Sequence, residues 1–425
     1  MAGPTDPSTG GLAQRLPALG SPVFRNFLVA AFIGNIGGWM SGTAQGWLVL
    51  GLTDSAAALG LTSAASSAPT LFLSLLAGVL ADRLDRRRIL VGAQLAGGSI
   101  AALLAMLTTT GRVEYWQVVV LAFLAGSATA LAGPSFQAIV STIVPRQAIG
   151  NAVALNSAQF NLSRVFGPVA AGLAIAAGGL ALAFWVNAIA LLIVAVVLAR
   201  LPLPAAPSMR AVESSMWSNL VDGLHFVRAD RTVAVLLLLA AVPGIFLLNY
   251  LALLPVYARD ILGIGAGGLG VLTAAIGVGA LIGALGVAIL RPSGGGGRLA
   301  IGGLSVASIA LIAFALSTSV PVSLLALAVL GACQVVYYAT TNTLLQVLVP
   351  GRLRGRVLSL YILTSWGAIP IGNLVAGAVA ERVGAPAALA GGAVVTLACA
   401  VATGALYRPL LVVHADPARG TVATA

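Results

Sequence analysis

Twelve apolar segments separated by short connections account for most of this chain. Each is about 20 residues long or longer, and an α-helix of that length spans the ~30 Å hydrocarbon core of a lipid bilayer. The 425 residues are 59% hydrophobic and 8% charged, a composition far from that of a soluble domain. The sequence therefore predicts an all-α integral membrane protein with twelve transmembrane helices.

The order of the apolar segments predicts two bundles of six helices. The longest connection follows the sixth segment; it opens with prolines and becomes amphipathic around Trp217 to Val227, as a linker with a short interfacial helix would. The predicted organisation is a leader at 1–26, a first bundle at 27–200, a linker at 201–232, a second bundle at 233–407 and a tail at 408–425. The expected spans are 27–51, 57–81, 89–109, 116–140, 150–177, 181–200, 233–256, 268–290, 299–317, 321–345, 354–380 and 386–407.

The arginines are distributed unequally between the two sides of the predicted membrane. All 22 basic residues are arginine, and 18 of them lie near the termini or in the even-numbered loops. Arg112, Arg259 and Arg382 lie in odd-numbered loops, and Arg164 lies within a span. Because loops rich in arginine stay on the cytoplasmic side, we expect a multi-pass protein of the plasma membrane with both termini in the cytoplasm. This topology accounts for the net charge of +11, so we expect no nucleic-acid partner.

The two predicted bundles resemble each other at a constant offset of 205 residues. At this offset Val144-Pro145 matches Val349-Pro350, which aligns a loop proline and the helix start that follows it. Alanine- and glycine-rich sequences give chance matches, but this run also aligns glycines in the fourth and fifth spans and in the connection that follows the fifth. The sequence therefore predicts an internal duplication and two pseudo-symmetric bundles. The matched glycines are Gly126 with Gly331, Gly150 with Gly355, Gly167 with Gly372, Gly172 with Gly377, and Gly179 with Gly384.

The connection after the second span combines a glycine, two aspartates and a basic cluster. Gly78 would let a neighbouring helix approach closely, and Asp82 would cap the positive N-terminal end of another helix. The loop is therefore predicted to form a gate. The alternative is that its arginines only fix the topology, although arginines alone would not require a glycine and an aspartate at that spacing. The predicted gate residues are Gly78, Asp82, Arg83, Arg86 and Arg87.

This loop resembles the characteristic loop of the major facilitator superfamily. The segment with Gly167, Pro168 and Gly172 resembles the glycine–proline motif of the antiporter branches of that superfamily. Together with Trp47-Leu48-Val49-Leu50 in the first span, these motifs are similar to the branch of macrolide-efflux and enterobactin-exporter proteins. The resemblance covers the whole predicted membrane region. It implies two six-helix halves that rock around a substrate site between them.

The resemblance also implies roles for individual residues. Asp82 would meet the start of the eleventh span, which carries Arg352, Arg354 and Arg356. Gly167, Pro168 and Gly172 would provide an antiporter-like bend where the halves meet, the alternative being an ordinary proline kink. Asp85 stands where the superfamily usually has a second glycine. We expect the loop to keep its shape because aspartate tolerates the left-handed turn conformation.

Arg164 is the ionisable side chain that is predicted to lie deepest in the bilayer. An unpaired charge there is costly, so the side chain should face the protein interior or a water-filled cavity. It would either receive an anionic or carbonyl-rich group of a substrate or tie helices together through backbone carbonyls; both interpretations remain open. Other polar and aromatic residues are predicted to line the same cavity, although each of them would also serve helix packing. They are Asn35, Trp39, Asn156, Phe160, Asn249, Tyr250, Gln334, Tyr338 and Asn342.

Energy coupling is the least determined part of the prediction. Antiporter resemblance implies a titratable carboxylate in the membrane, yet every aspartate and glutamate falls in a loop or at the end of a predicted span. Arg164 cannot carry the proton because arginine titrates above pH 12. Asp54 is the remaining candidate for proton coupling. No grouping of residues indicates a metal, a cofactor or an enzyme active site, so we expect none of them.

The sequence thus predicts a secondary transporter that exports amphipathic small organic molecules by alternating access coupled to proton influx. Drug-like, macrolide-like and siderophore-like compounds are the expected substrates, and an unopposed Arg164 favours neutral or anionic cargo. The protein is expected to act as a monomer in contact with membrane lipid. One alternative is a transporter of lysophospholipids or other lipids. An alternative of another class is a non-transporting receptor or scaffold, which would need neither a gate nor a helix bend.

Overall fold

The computed structural model describes residues 16–202, 216–290 and 296–412, except for the side chains of 74, 75, 79, 81–83, 216–221, 290, 352 and 412. The predicted leader as far as residue 15, the linker segment 203–215 and the tail from 413 lie outside the described residues. All regular structure in the described ranges is helical. Eleven of the helical segments are long and apolar enough to cross a membrane. The predicted all-α membrane fold is confirmed.

The first half of the chain forms five long helices. Serine or aspartate begins three of them because its side-chain oxygen accepts a backbone N–H of the first turn: Ser21 for α1, Ser55 for α2 and Asp85 for α3. The helices are α1 Pro22–Thr53, α2 Ala56–Arg83, α3 Arg86–Thr109, α4 Tyr115–Thr142 and α5 Ile149–Arg200.

Helix α5 contains two membrane spans. Its 52 residues would extend ~78 Å as a straight helix, more than twice the thickness of the hydrocarbon core. The helical backbone breaks at Gly178 and Gly179, where Gly179 has φ 75°. Both parts then pack on the same stretch of α1: Gly167 lies against Trp39, and Ala190 lies against Gly37. The chain therefore reverses at the two glycines, and the predicted fifth and sixth spans are confirmed as an antiparallel pair.

The second half contains the remaining six spans and a short helix before them. That helix, α6 Met216–Ala229, agrees with the interfacial helix predicted for the linker. The bundle boundaries themselves stay a prediction. The further helices are α7 Arg231–Phe246, α8 Tyr250–Val256, which continues as a π-helical turn Tyr257–Ile261, α9 Gly265–Leu290, α10 Gly296–Leu316, α11 Val320–Leu348, α12 Gly351–Trp366, α13 Ile369–Val383, α14 Ala385–Leu406 and α15 Arg408–Val412.

The seventh and eleventh spans are interrupted, whereas the sequence had predicted continuous helices. The seventh span breaks between α7 and α8, after Pro243, and the eleventh breaks between α12 and α13, just before Pro370. A proline lacks the N–H that continues a helix, so each break begins or ends near one. The two breaks meet, because the backbone at Gly244 lies against Ser365 and the backbone at Gly372 lies against Gly244.

Equivalent glycines make equivalent contacts in the two halves. A Cβ on Gly126 in α4 would lie within 3.0 Å of the backbone of Ser66 in α2. A Cβ on Gly331 in α11 would likewise collide with the backbone of Ile276 in α9. Gly179 and Gly384 both adopt positive φ, 75° and 88°, before the last span of each half. The predicted duplication and its pseudo-symmetry are therefore confirmed.

The two halves meet through two further glycine pairs. A Cβ on Gly60 in α2 would lie 2.9 Å from the Cα of Gly377 in α13, and a Cβ on Gly172 in α5 would lie 3.1 Å from the Cα of Gly267 in α9. We call the side on which α1 begins and α14 ends the terminus face, and the other side the opposite face. Both glycine pairs lie in the parts of their helices nearer the opposite face. The halves therefore approach each other most closely there.

We predict that Gly126→Ala destabilises the protein. The added methyl group would overlap the Ser66 backbone, which cannot rotate away as a side chain can, and such overpacking typically costs ~1–3 kcal/mol. Gly92→Ala in α3 is the matched control, because a Cβ there meets nothing within 4 Å. Thermal unfolding of the purified protein should give a lower melting temperature for the first variant only. An equal effect of both substitutions would contradict the packing assigned to Gly126.

Candidate functional site

Arg164 in α5 stacks on an aromatic side chain of α1. Its guanidinium carbon lies 5.3 Å from the centroid of the Trp39 ring, and the Trp39 ring meets Phe160 edge-on with centroids 6.3 Å apart. Arg164 is half-buried and forms no ion pair and no hydrogen bond to a carbonyl within the described part of the chain. This placement favours the interpretation that the guanidinium is available to a substrate over the interpretation that it ties helices together.

Arg164 also lies where the two halves meet. A Cβ on Gly277 in α9 would come within 3.1 Å of the Arg164 backbone carbonyl oxygen. The hydroxyl of Tyr250, at the start of α8, lies within electrostatic reach of the guanidinium. The sequence had placed Arg164 and Tyr250 in one cavity on different halves, and the structure brings them together.

A chain of amide hydrogen bonds joins α1 to α5 beside Arg164. The Asn35 side-chain amide donates to Gln159 Oε1 at 3.2 Å, and the Gln159 amide donates to Asn156 Oδ1 at 3.2 Å. Sequence reasoning found Asn35 and Asn156 but missed Gln159, which is buried between them. Its spacing of three residues from Asn156 placed it on the same face of the helix. In this arrangement the three amides satisfy one another and stiffen the wall that carries Arg164.

The facing wall in the second half is a group of buried polar side chains that lack partners. The Tyr250 hydroxyl lies beside the Gln334 side chain, and the Tyr361 hydroxyl donates to the Tyr338 backbone carbonyl at 3.4 Å. Buried polar atoms usually have a hydrogen-bond partner, so these exceptions mark places where a ligand or an ordered water would complete the bonds. Within the described residues, the buried atoms of this region without a partner are Asn249 Oδ1, Tyr250 Oη, Gln334 Nε2, Tyr338 Oη, Thr341 Oγ1 and Ser365 Oγ. We call Tyr250, Gln334, Tyr338 and Ser365 the polar cluster.

Aromatic rings flank the polar cluster. Tyr338 stacks on Trp366, at the end of α12, with centroids 6.4 Å apart and an interplanar angle of 23°. Tyr337, the neighbour of Tyr338, turns the other way and donates its hydroxyl to the Leu239 carbonyl at 2.6 Å. The sequence did not predict Trp366 or Ser365, because both lie beside the unexpected break in the eleventh span.

Two of the predicted cavity residues, Asn249 and Asn342, form hydrogen bonds within the protein. Asn249 donates its amide to the Ile245 carbonyl at 3.1 Å and to the Gly372 carbonyl at 3.5 Å, which joins the breaks of the seventh and eleventh spans. Asn342 accepts from the Gln346 amide at 2.5 Å, one turn further along α11. Their roles in a cavity stay predictions.

The predicted gate loop is described only in part. The side chains of Asp82 and Arg83 lie outside the described residues. A Cβ on Gly78 would meet nothing within 4 Å, so no helix of the described residues packs closely against it. Arg86 and Arg87 begin α3, and both are partly buried. The gating role of these residues stays a prediction.

Asp85 keeps the loop intact by a different means from the one expected. Its φ of −60° is not left-handed; the side chain instead accepts the Arg87 backbone N–H at 2.8 Å and caps α3. On the eleventh span, Arg356 pairs with Asp222 of α6 at 2.6 Å. Arg356, one of the three arginines expected to meet Asp82, is thus paired with the linker helix α6.

At the opposite face, polar contacts join the two halves. Arg259 pairs with Asp54 and donates to the Leu50 carbonyl at 3.2 Å. Glu381 accepts from the Ser55 hydroxyl at 2.9 Å and from the Ala57 backbone N–H at 3.0 Å, at the positive N-terminus of α2. All hydrogen bonds between the halves within the described ranges lie at this face. The structure is therefore closed there.

The predicted bend residues lie in the contacts between helices. Gly167 packs against α1 of its own half, whereas the Pro168 carbonyl meets Gly270 and Gly172 meets Gly267, both in α9 of the other half. Helix α5 continues through Pro168. These three residues thus form a close helix contact, and their antiporter-like role stays a prediction.

Comparison with known proteins agrees with this architecture. The family described as transmembrane secretion effector, within the major facilitator superfamily, matches residues 13–416. The chain belongs to this family. The D-xylose-proton symporter has the same fold, with a TM-score of 0.73 at 16% identity over 96% of this chain and 100% of that one.

Similar curated proteins include three bacterial transporters. The multidrug efflux pump Tap of Mycolicibacterium fortuitum is 29% identical over 84% of this chain and 89% of its own length. The staphyloferrin A transporter of Staphylococcus aureus is 27% identical over 55% of this chain and 59% of its own. Macrolide efflux protein A of Streptococcus pyogenes is 22% identical over 49% of this chain and 52% of its own. The predicted resemblance to efflux-type major facilitator proteins is confirmed, and the protein is a multi-pass membrane transporter of small molecules, not an enzyme.

We predict that Arg259→Gln changes transport by less than about fivefold, because an exposed ion pair contributes less than ~1 kcal/mol. Asp54→Asn should abolish proton-driven transport, because an amide cannot take up a proton, and the double variant should behave like Asp54→Asn alone. Asparagine also tolerates the left-handed backbone at this position, which has φ 50°. Initial rates of cargo uptake into vesicles give the comparison. Equal and small effects of the two single variants would indicate a purely pairing role and contradict the proton-coupling prediction.

Proposed function

We propose that this transporter exports amphipathic small organic molecules and holds them between its two halves in contact with Arg164. The observation that carries the proposal is a half-buried guanidinium at the inter-half contact that stacks on Trp39 and has no carboxylate beside it within the described residues. A cation in such a place attracts neutral or anionic cargo and repels cationic cargo. Relatives named as multidrug, macrolide and siderophore transporters support this range of substrates.

The orientation follows from the charge distribution. The terminus face carries most of the arginines, so we assign it to the cytoplasm and the protein to the plasma membrane, with both termini inside. In this orientation the polar contacts of Asp54 and Glu381 close the outer side. Cargo would enter from the cytoplasm, and breaking these contacts would release it outside. Alternating access between the two states completes the cycle.

Proton influx is the coupling that we propose, with Asp54 as its candidate residue. The side chain of Asp54 is 81% exposed and paired with Arg259, so it lies at the outer rim and not beside Arg164. A proton taken up there would neutralise Asp54, weaken the ion pair and favour opening of the outer side. This mechanism needs no carboxylate in the membrane interior.

We predict that Arg164→Gln lowers transport of anionic cargo by about tenfold or more, since a hydrogen bond to a charged group contributes ~1.5–3 kcal/mol. Insertion and thermal stability should be retained, because the substitution removes a costly charge from the membrane. Arg164→Lys is the charge-retaining control and should keep part of the activity. Uptake of labelled cargo into inside-out vesicles measures the effect. Normal transport by Arg164→Gln would remove the proposed role of the guanidinium.

The proposed function is tested by proton movement in inside-out vesicles with an acidic interior. Macrolides, siderophores, lipophilic cations and lysolipids are added one at a time. We expect a neutral or anionic amphipathic class to dissipate the gradient only when the protein is present. Dissipation by lysolipids alone would support the lipid-transport alternative. No response to any class, with no uptake of labelled cargo, would contradict export.

A further inference from the structure

The polar cluster holds buried hydrogen-bonding groups that the surrounding protein does not satisfy. Tyr250 is fully buried, Ser365 is 1% exposed and Gln334 is 6% exposed, yet each has a polar atom without a partner among the described residues. The unpartnered atom of Gln334 is its amide nitrogen, which can only donate, and Arg164 has donors only. The hydroxyls of Tyr250, Tyr338 and Ser365 can both donate and accept. An acceptor group on a ligand would therefore complete the bonds of the Gln334 nitrogen and of Arg164, and the hydroxyls could donate to it as well.

The cluster is built into the fold and does not result from loose packing. Ser365 and Tyr250 lie at the ends of the two interrupted spans, and Asn249 holds those ends together through the Gly372 carbonyl. Tyr338 is fixed by its stack on Trp366. Leaving buried donors unpaired costs free energy, so their retention in one place points to a bound group.

The donors face each other across the boundary between the halves. Arg164 belongs to the first half and Tyr250 to the second, and Gly277 of the second half packs on the Arg164 backbone. An oxygen-rich group placed between them would accept from both. Amines and quaternary cations would find no carboxylate on these side chains and would be repelled by the Arg164 guanidinium.

We propose that the polar cluster and Arg164 form one subsite for a carboxylate or another oxygen-acceptor group of the cargo. The aromatic pairs Trp39–Phe160 and Tyr338–Trp366 would hold its apolar or planar body. This inference rests on the proposed function for its location, and it adds the chemical class of the group that is recognised. The recognised group is an oxyanion or a carbonyl, and the contact spans both halves.

The test uses two dyes with the same xanthene skeleton, fluorescein, which is anionic, and rhodamine 123, which is cationic. Fluorescence anisotropy of each dye with the protein in lipid nanodiscs gives its dissociation constant. The wild-type protein should bind fluorescein at least about tenfold more tightly. Tyr250→Phe should weaken fluorescein binding about tenfold without lowering the melting temperature, because the lost hydroxyl has no protein partner.

Two further variants make the result specific. Tyr337→Phe is the matched control: its hydroxyl donates to Leu239 in the core, so it should lower the melting temperature and leave dye binding unchanged. Gln334→Glu keeps the shape but replaces a donor with an anion, and it should reverse the preference toward rhodamine 123. Equal binding of both dyes by the wild type, or unchanged dissociation constants in Tyr250→Phe, would overturn the proposed subsite.

Transport measured in parallel separates this inference from the proposed function. If fluorescein binds with the expected variant effects but is not accumulated by inside-out vesicles, the subsite stands and export fails. If another cargo is exported while the dye preference is absent, export stands and the subsite fails.

Discussion

Backbone contact between glycines of the two halves is the constraint on which the rest of the structure depends. Gly60 against Gly377 and Gly172 against Gly267 bring helices closer than any side chain would allow. In lipid there is little hydrophobic driving force between helices, so such close packing supplies much of their association. Gly377 corresponds to Gly172 in the internal repeat, and the helices α2 and α9 that contact them correspond as well. Together the two pairs bring the halves into contact near the opposite face.

A polar site in a membrane protein must offset the cost of its own burial. In the first half, Asn35, Gln159 and Asn156 satisfy one another, and only Arg164 remains available. In the second half, two interrupted spans bring together several buried polar groups that lack a protein partner among the described residues. The first wall is therefore preorganised and positively charged, and the second is preorganised and neutral. A single oxygen-rich group complements both, which explains how a site without a carboxylate can still be selective.

Most of the fold could be predicted because the bilayer allows so few solutions. Backbone polar groups must be satisfied within the membrane, so twelve apolar segments mean twelve helices. The repeat could be predicted because glycines such as Gly126 and Gly331 make contacts that no other residue allows. The breaks at Pro243 and Pro370 could not, since prolines are common within intact membrane helices. The expected left-handed turn at Asp85 was wrong because the side chain caps α3 instead.

From the sequence, the candidate site could be predicted only as sets of residues that share a helix face. Helical spacing placed Arg164, Trp39 and Phe160 on neighbouring surfaces, and the structure brings their side chains together. Ser365 and Trp366 were missed because they belong to the cluster only through the break that follows them. Helical periodicity carries no information about which partner a buried hydroxyl lacks. That information depends on the packing of distant segments.

The central claim is that the halves rock between two states, and that the polar contacts at the opposite face stabilise the state closed there. It is tested most directly by spin-label distances in nanodiscs, between Ser141 and Gln346 at the terminus face and between Thr110 and Thr318 at the opposite face. All four side chains are exposed. The comparison is between the otherwise wild-type protein and the variant Asp54→Asn/Glu381→Gln. We predict that the variant lengthens the opposite-face distance and shortens the terminus-face distance together. A longer opposite-face distance with an unchanged terminus-face distance would show local fraying and contradict the account.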